Sequence, residues 1–289
     1  MLTKLRHYLS LVRFSHTLFA LPFALAAMLW AAGGVPPLRI CLLVLLCMAS
    51  ARNAAMAFNR LADAAYDARN PRTARRHIPA GVLSRRGVLA FFVANAAVFV
   101  AATFFLNRLA FVLSIPALFA VCFYSLTKRF TSWSHLFLGL AIGISPVGAW
   151  VAVRGGFGGE AVLLCLMLMF WIAGFDVIYA TQDEDFDRGA GLHSIPARFG
   201  RKGALRLSLA LHAVMLAVGV ILEATFGLGW PFGAALIVTA ALLAYLHLFR
   251  RGDSLDGLNQ DFFLANIAVS LVIFCGVTAS VLLGTIRGS

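Results

Sequence analysis

At 289 residues the chain could build a large domain, but 61% of it is hydrophobic, only 12% is charged, and its mean hydropathy is +0.89. Soluble domains carry about 25% charged residues, so this deficit excludes an ordinary water-soluble enzyme and points to lipid as the solvent. The net charge of +12 would suit a nucleic-acid partner if it formed one patch. It is instead dealt out loop by loop between apolar runs, which excludes that partner.

Apolar runs of roughly 20 residues, the span of a bilayer core, recur along the whole length. The first, at 17–32, follows Lys4, Arg6 and Arg13 and ends near Ala24, Ala26 and Ala27, so it resembles a signal peptide. A retained first helix is expected, because many spans follow it. The others lie near 39–58, 87–106, 110–126, 136–153, 161–180, 204–226, 231–249 and 262–283. Barrel strands would show ten-residue alternation instead of long apolar blocks. The expected fold is therefore all-α: one polytopic bundle over 1–289, of about nine transmembrane helices, around a central cytoplasm-facing cavity. Pro22 and the series Gly139, Gly143 and Gly148 allow a kink and close helix contact. Cys41, Cys47, Cys122, Cys165 and Cys275 all fall inside spans and read as small apolar fillers. His212 and His247 read as helix-packing residues.

Alternate loops are basic. One side collects Lys4, Arg6 and Arg13, then Arg60 to Arg86, Lys128 and Arg129, Arg188 to Arg206, and Arg250 and Arg251. The other holds Arg39, Arg108, Arg154 and Arg287. The positive-inside rule places the first side, with the N-terminus, in the cytoplasm of an inner or plasma membrane.

Of twelve acidic residues, seven lie in two short stretches at the cytoplasmic ends of the second and sixth spans. In the first, Asn59, Asp63 and Asp67 are four apart and line one helix face. In the second, Asp176, Asp183 and Asp187 are seven and four apart, again on one face. Like charges at this spacing destabilise a bare helix, and a divalent cation would reverse that. Oxygen-only ligands favour Mg²⁺ or Ca²⁺, and Mg²⁺ takes one or two carboxylates and completes its shell with water and phosphate. Asp63, Asp67, Asp176, Asp183 and Asp187 are the candidate metal ligands. Glu184 and Asp185 lie off the main face and suit local arginine pairs at a solvated helix end. Each acidic stretch runs into a basic, Gly/Pro-punctuated loop, Arg69 to Gly81 and Arg188 to Gly200. Arginine forks suit phosphate oxygens.

At these residues the sequence resembles the UbiA superfamily of membrane prenyltransferases. Asn59, Asp63 and Asp67 match its first motif; Asp176, Asp183 and Asp187 match its second. Arg72 to Gly81 match its R-T-x-x-R-x-[IL]-P-[AS]-G loop, and Tyr124 to Arg129 look like its Y-x-x-x-K-R segment. Asn266 near the start of the last helix also fits. The phrases from Ala68 to Thr73 and from Gly191 to Gly200 look most like the MqnP-like enzymes of the futalosine route to menaquinone, relatives of the 4-hydroxybenzoate polyprenyltransferases of ubiquinone synthesis. His193 stands where many hydroxybenzoate enzymes have Lys before the Ser, here Ser194, and Ile195-Pro196 replaces Thr-Ala. That departure favours the bicyclic acceptor.

The resemblance implies Mg²⁺-dependent transfer of a polyprenyl group from its diphosphate to an aromatic acid, 1,4-dihydroxy-6-naphthoate or 4-hydroxybenzoate. Asp63, Asp67, Asp183 and Asp187 would be catalytic through the metal. Arg72, Lys128 and Arg129 would hold diphosphate. Tyr124 and Tyr179 would face the allylic cation, and His16, His193 and Ser194 would stand near the substrates. Membrane lipid is the expected surrounding, and no obligate protein partner is implied. An ion-coupled secondary transporter is the competing class, but it places its acids near the bilayer midplane. A CDP-alcohol phosphotransferase would need a D-G-x-x-A-R segment, which does not occur.

Overall fold

The computed structural model describes residues 7, 8, 10, 11, 17–248 and 255–286; for 17, 18 and 255–263 it describes the backbone alone. Within them every regular element is helical: α1 (Thr17–Ala32), α2 (Leu38–Asp67), α3 (Arg85–Phe104), α4 (Arg108–Thr127), α5 (Ser134–Arg154), α6 (Gly159–Ala180), a 3₁₀ turn (Thr181–Asp183), α7 (Glu184–Gly189), α8 (Ile195–Phe226), α9 (Trp230–Leu248) and α10 (Leu255–Leu282). Eight helical segments are long and apolar enough to cross a membrane, and α1 adds a shorter apolar helix. The chain is an integral membrane protein.

Neighbouring helices pack as a ring, α2–α3–α4–α5–α6–α8–α9–α10–α1, and α1 folds inward onto α5 while touching α2 only lightly. The main core gathers Phe23, Trp171, Met167, Met215, Phe232 and Ile273 from α1, α6, α8, α9 and α10. In α6, 61% of the apolar window is buried, against 17% in α3 and α4. That is why α6 is apolar on every face, as a central helix must be. α5 lies close to it because Gly139 and Gly143 face the α6 backbone: a Cβ on Gly143 would sit 2.9 Å from the Cys165 carbonyl oxygen. Gly148 plays no such part; it opens onto the cavity.

The departures from the apolar pattern are informative. The second span was expected to stop near 58, but α2 runs on to Asp67. Its 30 residues make a rod of roughly 45 Å, longer than the roughly 30 Å apolar core, so its polar end extends beyond that core. α8 begins at Ile195, nine residues before the expected apolar start, where the Ser194 side chain accepts from Ala197 N–H as an N-cap. Gly200 (φ 69°, ψ 170°) breaks the helix and separates its basic entry from its apolar shaft. His212 and His247 hydrogen-bond to each other at 2.8 Å across α8 and α9.

Gly143→Ala is expected to lower stability by roughly 1–3 kcal/mol, as overpacking does. Unfolding in mixed detergent micelles, titrated with SDS, measures it.

Candidate active site

Two helix ends make the site. On α2, Asn59 Nδ2 donates to Asp63 Oδ2 at 2.8 Å and reaches Ser125 Oγ on α4 at 3.4 Å. One turn on, Asp67 is buried; its Oδ1 accepts from Arg76 Nη1 at 2.7 Å, and its Oδ2 is buried with no partner among the described residues. On the opposite side α6 tightens into the 3₁₀ turn before α7, which buries both Asp183 and Asp187.

The loop after α2 crosses to that second end. Arg72 donates from Nε to Asp183 Oδ1 at 2.8 Å and from Nη2 to Oδ2, and Asn70 Nδ2 donates to Oδ1 at 3.0 Å. Arg72 Nη1 also donates to the Tyr179 hydroxyl at 3.2 Å, with its guanidinium carbon 5.4 Å from that ring. From the end of α4, Lys128 Nζ donates to Asp187 Oδ2 at 3.2 Å. Asp183 and Asp187 therefore draw their cations from other elements. The local pairs are Arg76–Asp67 and Glu184–Arg188, the latter matching the solvated helix-end reading of Glu184.

These contacts govern the charge of the cations. Burial opposes the charge on Arg72, yet its hydrogen bonds to Asp183 and that carboxylate's charge override it and hold the guanidinium above its ordinary value. Burial likewise opposes Lys128, and the charges of Asp187, Asp176 and Asp183 outweigh it, so its ammonium is also raised.

Asn59, Asp63, Asp67, Tyr124, Lys128, Arg129, Asp176, Tyr179, Asp183 and Asp187 line one cavity of about 690 Å³. Arg72 stands behind its rim through Asp183. Arg129 donates to the Ala62 carbonyl at 2.8 Å, with its guanidinium carbon 5.7 Å from the Tyr66 ring. His193 and Ser194 lie apart from this lining: His193 is exposed with its N–H on the Lys128 carbonyl, and Ser194 is the buried cap of α8. His16 lies outside the described residues. Asn266 is buried in α10.

The donor set fits a hard divalent cation. Among the described residues no three carboxylate, imidazole or thiolate side chains converge on a single point. Two carboxylate pairs lining one cavity suit Mg²⁺, which needs only one or two carboxylates. The bare, buried Asp67 Oδ2 is an oxygen that requires such a partner.

Residues not singled out from the sequence complete the cavity. Arg52 lines its apolar length, seven residues before Asn59 and hence on the same face of α2. An arginine inside an apolar span was the signal that could have found it. Ser145 of α5 lines the same cavity with a buried hydroxyl that has no partner among the described residues. His135, fully buried, holds Asp176 Oδ2 at 2.6 Å; nothing in its local sequence marks it.

Residues 20–267 match the family model described as the UbiA prenyltransferase family. A 4-hydroxybenzoate octaprenyltransferase from Xanthomonas campestris pv. campestris is 34% identical over 257 residues, covering 88% of this chain and 84% of that protein. The apo structure of a UbiA homolog from Aeropyrum pernix is 34% identical with a TM-score of 0.81, covering 91% of this chain and 96% of that one. A UbiA homolog from Archaeoglobus fulgidus bound to GPP and Mg²⁺ shares the fold, with a TM-score of 0.70, 21% identity, and 96% and 99% coverage.

A lysine raised in the folded state stabilises fully below its unfolded value, about 10.4, and loses that contribution as pH climbs through the higher folded value. The melting difference between wild type and Lys128→Met is therefore expected to stay constant from about pH 6 to 10 and to shrink only above that range. Differential scanning fluorimetry in detergent checks it.

Proposed function

The chain belongs to the UbiA prenyltransferase family and is a membrane prenyltransferase; from that premise we propose that it uses Mg²⁺ to transfer a polyprenyl group from its diphosphate to an aromatic acid in quinone synthesis. The observation that carries this reading is that both carboxylate pairs, from the ends of different helices, line one cavity whose remaining wall is largely apolar. The relative named for 4-hydroxybenzoate and octaprenyl transfer supports the substrate classes, and the Mg²⁺ and GPP in the Archaeoglobus fulgidus structure support the metal and donor. 4-Hydroxybenzoate and 1,4-dihydroxy-6-naphthoate are the two acceptors of interest. Residues 1–289 act as one transmembrane domain. Its basic loops and cavity rim face the cytoplasm, because Arg72, Arg76 and Lys128 lie on the arginine-rich side.

Asp63 and Asp67 on one wall, and Asp183 and Asp187 on the other, would hold the cation. Bound Mg²⁺ would supply positive charge against the diphosphate oxygens and so favour their departure. Arg72, Lys128 and Arg129 add fixed positive charge at the same rim, and preorganised charge of this kind is often the largest catalytic contribution. The C1–O bond breaks with its electron pair leaving on the diphosphate. The apolar wall keeps water from the allylic cation, while the rings of Tyr124 and Tyr179 offer it their π faces. Arg52 and the Ser145 hydroxyl, deeper in the cavity, receive the carboxylate of the acceptor. The electron-rich ring then forms the new C–C bond with a π pair, and the ring proton passes to a base, for which the released diphosphate suffices, so that the C–H pair restores aromaticity.

Purified protein given farnesyl diphosphate, Mg²⁺ and either acceptor is expected to form a prenylated acid, and EDTA to stop it. Asp67→Asn and Asp183→Asn are each expected to cost about a hundredfold or more in kcat while still folding in detergent. Normal turnover in both removes the metal role, and solute uptake into proteoliposomes without product favours a transporter. Arg52→Met is expected to weaken acceptor binding by roughly 2–5 kcal/mol, read as KM for the acid, with KM for the diphosphate unchanged.

A further inference from the structure

A second hollow lies on the outer face of the bundle, away from the acidic rim. α3 packs mainly on α2 and more lightly on α4. Between α3 and α4 runs a groove of about 730 Å³, and the described residues that line it are all apolar. Ala97 and Ala101 leave it room on α3, and three rings gather at one end, Phe104 lying 5.6 Å from Phe105 and 5.4 Å from Phe111. From Phe104 back to Phe92, at the other end of the lining, the helix rises roughly 18 Å. One leaflet of a bilayer core is roughly 15 Å thick. The groove therefore follows a single leaflet, on the side of the bundle opposite the acidic rim.

The phenylalanine end carries charge of one sign. Arg39, exposed in the first turn of α2, donates from Nη2 to the Phe105 carbonyl at 3.0 Å, which seats its guanidinium at that end. Arg108, also exposed, opens α4 three residues after Phe105. Both positions are unfavourable for a cation. The amide dipoles of a helix start favour anions, and the positive-inside bias keeps arginines from this side. Residues 38–62 and 85–127 contain no Asp or Glu. The acids near this side, Glu160 and Glu223, belong to α6 and α8, and α5 stands between those helices and α4.

An apolar slot one leaflet long that ends under two guanidinium groups matches a molecule with an acyl chain and an anionic head. We propose that the α3–α4 groove binds an anionic glycerophospholipid such as phosphatidylglycerol, with an acyl chain along α3 and the phosphate on Arg39 and Arg108. Arginine forks take phosphate oxygens in pairs, and the bound negative charge offsets the cations that the helix starts oppose. A zwitterionic headgroup fits less well, because its ammonium meets no carboxylate on α2, α3 or α4 at this end. A second copy packed symmetrically through the same face would bring its own two arginines to the same end. The site is independent of the prenyl-transfer reading: neither arginine, nor Phe104, Phe105 or Phe111, lines the first cavity.

Native mass spectrometry of the purified protein, titrated with palmitoyl-oleoyl phosphatidylglycerol or the matching phosphatidylcholine, tests it. The first phosphatidylglycerol is expected to bind at least about tenfold more tightly than the first phosphatidylcholine. Arg39→Gln and Arg108→Gln are each expected to weaken it about fivefold. The pair Arg85→Gln and Arg86→Gln, equally exposed but at the rim end of α3, is expected to leave it unchanged. Ala97→Phe with Ala101→Phe, at exposed positions, fills the groove and is expected to weaken it at least about tenfold. Equal affinity for the two lipids overturns the proposal, as does undiminished binding in the Arg108 variant or in the filled groove. So does a loss confined to the Arg85 and Arg86 pair, or a dimer that forms in place of lipid binding. Should Arg39→Gln fail to fold, Arg108→Gln and the filled groove still decide.

Discussion

Carboxylates crowded into a poorly hydrated cavity repel one another, and the architecture of this protein is organised around holding them there. Four stand at the rim of one cavity, on the ends of α2 and of the α6–α7 connection. Three of these meet cationic groups, and Asp63 takes the amide of Asn59. The Arg72–Asp183 contact is central because it carries the loop after α2 across to the opposite helix end. Asn70 adds a second bond from that loop to Asp183, and the end of α4 spans the two sides through Lys128 to Asp187 and Arg129 to the Ala62 carbonyl.

An ion pair in such surroundings is costly to desolvate and contributes little net stability. The arginines and lysine that neutralise these carboxylates carry the N–H donors that, on the function proposed above, would meet a diphosphate at the same rim. Asp67 Oδ2, buried with no partner among the described residues, belongs to the same pattern of charge: it is an acceptor whose natural complement is a cation.

Below the rim the cavity becomes apolar, and its polar residues become few and specific. Arg52 and Ser145 bring a cation and a hydroxyl to a wall otherwise built of aliphatic and small side chains. Asp176 lines the same cavity, with the buried ring of His135 against its carboxylate. The gradient from a charged rim to an apolar depth matches a donor with a diphosphate head and a hydrocarbon tail. The light contact of α1 with α2 keeps the bundle from being uniformly tight around that space.

The helices, their number and the first acidic face were legible in the sequence, because apolar runs and four-residue spacing are local properties of one helix. Asp176, Asp183 and Asp187 were expected on one helix face, but α6 ends at Ala180 and the 3₁₀ turn Thr181–Asp183 interrupts that stretch. Asn59, Asp63 and Asp67 had to share a face once that stretch was helical. The polar ends ran further than hydropathy suggested, since hydropathy reports the lipid boundary and backbone hydrogen bonding sets the helix end. Partnership was not legible. Arg72 and Asp183 are separated by 111 residues, Lys128 and Asp187 by 59, and His135 and Asp176 by 41. Which cation meets which acid, why His193 and Ser194 stand apart from the cavity, and which acid the ring of His135 meets depend on how helices pack against one another. Spacing along the chain carries no record of that, and only the tertiary structure decides it.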